Sequence, residues 1–229
     1  MISSTDIQRE AANGPGVPSS QLRLGLRGEL TPRDLDAAAW VGRLAGATRG
    51  DLQVRFGLGK SQVYRRVQVL VQFGMVESRR VLAERPALLT APGKPLRPAS
   101  YEHAVRVARQ VAESEASGKL VISELELRRE RAGKQALPGW VGEDDRIVAL
   151  SCRRVPDLIE RLPSGGLRAI EIELSSKGRS RRERVLGHYA ASKYEEVKWL
   201  VPNGQLAAVI RREIDRLGLA RYVEVVDDC

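Results

Sequence analysis

Cysteine, aromatic residues and long apolar runs are scarce in this chain. Two cysteines in 229 residues, Cys152 and Cys229, build neither a disulfide framework nor a four-thiolate zinc site. Aromatic residues make up 4%, too few for the extended stacking platforms of single-strand-binding proteins. No apolar run approaches the roughly 20 residues that span a bilayer, and Met1–Glu10 lacks the apolar core of a signal peptide. These absences predict a cytoplasmic protein without a membrane partner. There is also no serine nucleophile elbow, no glycine-rich phosphate loop and no dinucleotide fingerprint. His103 and His188 have no Cys, His or acid at ligand spacing and read as surface or packing residues. Cys152 reads as a small buried residue, and Trp40, Trp140 and Trp199 as core or interface.

What is abundant is positive charge. With 38 Lys+Arg against 29 Asp+Glu, the formal net charge is +9, and hydrophobic residues at 42% fit a globular protein. The excess is uneven. Between Thr31 and Ser100 there are 12 Lys+Arg against 5 Asp+Glu, whereas residues 101–229 hold 23 against 21. A basic segment joined to a nearly neutral one suggests two modules, the basic one facing a polyanion. The competing explanation is a generally arginine-rich composition. The Gly/Pro/Ser-rich stretch up to residue 29 reads as a flexible arm, and the Pro/Gly patch Thr90–Pro98 as the boundary between a module at 30–98 and one at 99–229.

Thr31-Pro-Arg-Asp34 is a helix start: a hydroxyl cap, proline at the first turn and an acid behind it. A second short helix fits Thr48 to Phe56. Gly57-Leu-Gly59 breaks the chain, and Ser61 is expected to cap a third helix over 62–73, with Val63, Val67, Leu70 and Val71 on its apolar side. Short helix, glycine turn and longer helix form the helix-turn-helix pattern. Two short strands within Met75–Leu82 and Pro86–Thr90 would add a wing. The segment resembles bacterial winged-helix DNA-binding domains, including Leu89-Thr90 and Gly93 after the wing. Lys60, Ser61, Gln62, Tyr64, Arg65 and Arg66 lie at the start and on the polar face of the third helix, and Arg79 and Arg80 lie in the wing. Arginine reads guanine edges, glutamine reads adenine, and lysine or hydroxyl groups hold phosphates. The bland alternative is an ordinary solvated helix face.

In the second module, Tyr101–Ser117 is helical in period and Val121–Arg131 continues it. Ile147–Ser151, Val155–Leu162 and Leu167–Leu174 read as three antiparallel strands, the last two joined at Pro163-Ser-Gly-Gly166. A helix near 179–192, a strand at 197–201, a helix at 205–217 and a strand at 221–226 complete a mixed sheet flanked by helices. The predicted fold class is thus an α+β winged helix-turn-helix followed by an α/β mixed-sheet domain. Arg179, Arg181, Arg182 and Arg184 at a helix start oppose its dipole unless an anion is near.

That order resembles restriction-endonuclease-like, or PD-(D/E)XK, nucleases. Pro156-Asp157 stands at the head of one strand, and Glu171 and Glu173 share a face of the next. Hard carboxylates suit Mg²⁺, so Asp157 and Glu171 are the candidate metal ligands, with Glu173 and Lys177 completing a candidate catalytic set. The nuclease pattern has lysine where this chain has Glu173; Lys177 lies four residues on. Glu124 is a further metal or structural carboxylate. The alternative is that Glu171 and Glu173 are the wet face of a half-buried strand.

Across roughly residues 35–205 the chain resembles the replication-relaxation family of bacterial plasmids and mobile elements. The resemblance rests on the winged-helix segment, Ile122-Ser-Glu-Leu-Glu-Leu-Arg128, Val155-Pro-Asp-Leu158, Ala169-Ile-Glu-Ile-Glu-Leu-Ser-Ser-Lys177 and Tyr189…Tyr194…Val197. It implies double-stranded DNA as partner in plasmid replication, mobilisation or its regulation, alongside other replication or mobilisation proteins. The alternatives are a Mg²⁺-dependent DNA endonuclease and a protein-interaction adaptor. A homodimer is expected, because one winged helix covers a half-site.

Overall fold

The computed structural model describes residues 28–151, 154–175 and 178–227. The arm before Gly28, Cys152, Cys229 and Lys177 lie outside these described residues. The first helices form where the capping chemistry sits. α1 (Pro32–Arg43) and α2 (Arg49–Phe56) each begin at a threonine whose hydroxyl accepts from the amide three residues on, while the acid there, Asp34 or Asp51, accepts from the threonine amide. Gly57, with φ of 60°, ends α2 in the left-handed conformation that glycine adopts without strain. α3 (Lys60–Gln72) follows at once. Its cap is Gly59, not Ser61, which lies inside the helix; the Gln62 side chain accepts the Gly59 amide at 2.9 Å. Val63, Val67 and Leu70 bury one face of α3 against α1 and α2.

β1 (Glu77–Arg79) and β2 (Leu88–Thr90) pair antiparallel, Ser78 opposite Leu89. Ala47, between α1 and α2, exchanges two backbone hydrogen bonds with Leu89 on the other side of β2. β2 is therefore paired along both edges, with β1 on one side and with the α1–α2 connection on the other.

A short 3₁₀ turn (Pro98–Ser100) leads into α4 (Tyr101–Ala116). Beyond it lie β3 (Val121–Ser123), α5 (Glu124–Arg131), α6 (Glu143–Ser151), β4 (Leu158–Arg161), β5 (Leu167–Ile172), α7 (Arg179–Ala190), β6 (Glu196–Val201), α8 (Gly204–Arg216) and β7 (Val223–Asp227). The five strands form one sheet in the order β3-β4-β5-β6-β7, antiparallel through β5 and parallel from β5 onward. The architecture is mixed α and β, with eight α-helices among the described residues.

Three further expectations fail. The first antiparallel strand is Val121–Ser123, inside a stretch read as helix; its three side chains are all buried, and Ser123 then caps α5 through a capping box with Glu126. Ile147–Ser151 is the end of α6, not a strand. Glu143, Asp144 and Asp145 in the first turn suit a helix N-terminus, and four apolar residues do not distinguish strand from buried helix. Residues 155–157 precede β4 rather than belonging to it.

The core has two parts. Ala37, Trp40 and Val41 of α1 join Ala108, Val111 and Ala112 of α4, and with Ile170, Ile172 and Leu200 they cover one face of the sheet. Leu186 and Tyr189 of α7 and Ala207 and Ile210 of α8 pack with Ala169, Val197 and Trp199 on the other. The first cluster runs without a break from residues before Pro98 to residues after it.

Candidate functional site

α3 presents a polar face whose side chains divide into two sets. Lys60, Tyr64, Arg65 and Gln68 are exposed, Tyr64 by 49%, with the Arg49 guanidinium 4.8 Å from its ring centre. Ser61 and Gln62 are exposed too, but Gln62 is engaged at the helix start. Arg66 turns inward. Its Nε lies 2.7 Å from Asp34 Oδ1, a second nitrogen contacts Oδ2, and the same nitrogen donates to the Glu29 carbonyl. Burial works to raise the Asp34 pKa, but Arg66 and the Thr31 hydrogen bonds outweigh it and hold the carboxyl below the usual range. Arg66 thus braces α3 on α1. In the hairpin, Arg79 pairs with Glu77 at 2.5 Å, and Arg80 donates to the Ala83 carbonyl at the exposed tip.

The second site lies at the end of β5. Glu171 and Glu173 share a face, as alternation requires, but that face is dry: they are 3% and 2% exposed, covered by α7. Arg154 grips Glu171 with two nitrogens, at 3.2 and 3.0 Å, and the Tyr189 hydroxyl of α7 donates to the same carboxylate. Burial, and then the neighbouring Asp157 charge, push the Glu171 carboxyl above its ordinary range against the pull of Arg154. The Tyr189 phenol is pushed up by burial and by Glu171, so it stays protonated and donating. Asp157 accepts the Ile172 amide at 2.7 Å, and its other oxygen is 3.2 Å from His103 Nε2. Glu173 continues the strand pairing by donating its amide to the Leu200 carbonyl. Its charge also bears on Arg182, which is buried and paired to Glu213 by two bonds of 2.7 Å.

The fold therefore brings Asp157, just before β4, and Glu171, in β5, close enough to interact. It does not leave them disposed for Mg²⁺. Asp157 is spent partly on a backbone amide, and a guanidinium occupies the Glu171 oxygens that a divalent cation would need. Among the described residues no group of three Asp, Glu, His or Cys side chains is arranged to hold a metal. Glu124, proposed as a further carboxylate, pairs with Arg128 at 2.6 Å on the outside of α5.

Sequence reasoning missed Arg154 and Tyr189. Nothing local announces Arg154, since its partner is 17 residues away. Tyr189 lies one α-helix beyond the glutamates and was noted as part of the family resemblance, without a role.

Beside this cluster is an open concavity of about 1130 Å³ between α5 and α7, with Arg128 and Arg131 on one wall and Arg181, Arg184 and His188 on the other. Arg154 and Asp157 lie at its floor. Comparison with family models, with curated proteins and with solved structures gives no match. No helix among the described residues is long and apolar enough to cross a membrane.

Proposed function

We propose that the protein binds double-stranded DNA through α3 and the β1–β2 hairpin, in the manner of a winged helix-turn-helix protein. One observation carries the reading. α3 buries Val63, Val67 and Leu70 and turns Lys60, Tyr64, Arg65 and Gln68 to solvent from a rigid seat, the arrangement that puts base- and phosphate-contacting groups in a major groove. The Ala47–Leu89 bridge adds support, because it sets the hairpin at a fixed place beside the helices. The resemblance to the replication-relaxation family supplies the setting: replication or mobilisation of a plasmid or mobile element, or its regulation. A homodimer on paired half-sites, and contacts with other replication proteins, belong to the same proposal.

Cleavage has weaker support. The position that carries lysine in the nuclease pattern holds buried Glu173, and Arg154 neutralises Glu171 where a metal would be needed. Chemistry through Mg²⁺ is therefore no part of the proposal.

The test is duplex binding by fluorescence anisotropy across a salt series, comparing wild type with Lys60→Ala/Arg65→Ala. Phosphate contacts release counterions, so losing two should flatten the slope of log affinity against log salt by about 2. Unchanged affinity and slope in a folded variant would remove α3 as the reading element. Incubating the duplex with Mg²⁺ in the same series, with Asp157→Ala/Glu171→Ala as control, decides the nuclease alternative: nicking lost in that control would establish it.

A further inference from the structure

Many arginines of this fold pair with carboxylates, and others, such as Arg33, Arg129 and Arg211, donate to backbone carbonyls. Arg43 reaches Glu115 and Glu126, each at 2.8 Å; Arg161 reaches Asp145; Arg168 reaches Glu160; and Arg182 reaches Glu213. The concavity between α5 and α7 is different. Arg181 and Arg184, both exposed on α7, have no carboxylate within ion-pair distance among the described residues. Facing them across the opening, Arg128 is exposed, its one acid among the described residues being Glu124 on its own helix. Five arginines and two carboxylates line this single hollow. Like charges gathered in this way repel one another, and Arg181, in the first turn of α7, also opposes the positive end of its helix. The arrangement raises the energy of the free protein and becomes favourable when anions enter.

We infer that this concavity is a second nucleic-acid contact, one that binds the phosphodiester backbone of duplex DNA. Its shape selects that ligand class. At about 1130 Å³, open and polar, it exceeds the closed and mainly apolar pockets that hold small molecules. Among the described residues no Phe, Tyr or Trp lines it and His188 is its one ring, so it offers no extended platform for unstacked bases. Guanidinium groups on opposing walls suit successive phosphates, whose contacts position a protein on DNA without reading sequence. Arg154 holds one further cation at the floor while satisfying Glu171, which keeps that buried carboxylate from repelling the entering backbone. The site shares no residue with the α3 face, so the protein grips DNA at two places: one that discriminates and one that only holds.

The experiment uses the full chain and a random-sequence duplex in the same salt series. Arg181→Gln/Arg184→Gln should weaken binding about tenfold at low salt and flatten the salt slope by about 2. The melting temperature should hold or rise, because two like charges in the concavity are gone and Arg181 opposes the dipole in the first turn of α7. Arg128→Gln, on the facing helix, is the second variant and should flatten the slope by about 1. Arg179→Gln, whose partner Glu183 lies outside the concavity, is the control and should change neither. An unchanged slope in both concavity variants overturns the inference. If they lose binding while Lys60→Ala/Arg65→Ala does not, this site stands and the α3 reading falls. If only the α3 variant loses binding, the reverse holds.

Discussion

Two arginine–carboxylate pairs, Arg66–Asp34 and Arg154–Glu171, look alike in geometry and differ in effect. Arg66 meets an acid that already caps its own helix, and the Asp34 carboxyl is held below its usual range. Arg154 meets an acid at the end of a central strand, with Tyr189 over it and Asp157 beside it, and the Glu171 carboxyl is held above its usual range. In the first pair the cation and the cap together exceed the cost of burial. In the second, burial and a like charge exceed the cation. A brace that lowers a pKa is what folding alone requires. Crowding two carboxylates under a helix serves stability poorly, and such crowding is characteristic of functional sites.

Removing the second arginine gives the largest effect. Arg154→Ala leaves Glu171 buried without its cation and should cost about 3 kcal/mol near neutral pH. The pH dependence follows from the raised pKa. A proton bound more tightly in the folded state contributes stability that is fully present below the unfolded value, about 4.3, and lost as pH rises through the folded one. The deficit of Arg154→Ala should therefore shrink as pH falls towards about 4, and Glu171→Gln should rescue it at neutral pH. Urea unfolding of the single and double variants at both ends of that range checks this. A deficit independent of pH would show that Arg154 acts by packing alone.

Asp34 has the opposite sign. Its lowered pKa contributes stability that is present above the unfolded value, about 3.9, and lost as pH falls through the folded one. Asp34→Asn keeps an acceptor for the Thr31 amide and loses the charge that Arg66 meets. Because Arg66 is partly exposed, about 1 kcal/mol is expected at neutral pH, vanishing in acid. If the substitution destabilises equally at low pH, the cap and not the ion pair carries the effect.

The contrast between these pairs also explains which parts of the molecule were legible in the sequence. Local signals were readable: the helix starts at Thr31 and Thr48, the buried Val63, Val67 and Leu70 of α3 and the Pro163–Gly166 turn fall where expected, whereas Val71 is exposed and Val69 is buried instead. Ser123-Glu-Leu-Glu126 is the same kind of signal, and reading through it as continuous helix hid β3. Long-range pairing was not readable. Arg66 was placed among the DNA-contacting residues because its spacing put it on a polar face, yet its partner is 32 residues away on α1. Likewise the alternation that put Glu171 and Glu173 on one face was correct, while their burial depended on α7 lying across that face. Periodicity assigns a side chain to a side of an element; the neighbour on that side comes from topology.

The smallest expected stability effect is at the rim of the concavity, and it sharpens the contrast most. Arg128 pairs with Glu124 one turn away on α5, with both side chains reaching solvent. Exposed pairs at this spacing contribute about 0.3–0.5 kcal/mol, so Arg128→Ala should barely move the urea midpoint. If Arg128 were another brace like Arg66, unfolding would register its loss and DNA affinity would not. The reverse pattern, an unmoved midpoint with a flattened salt slope, would separate the arginines that hold this fold together from those it keeps for a polyanion.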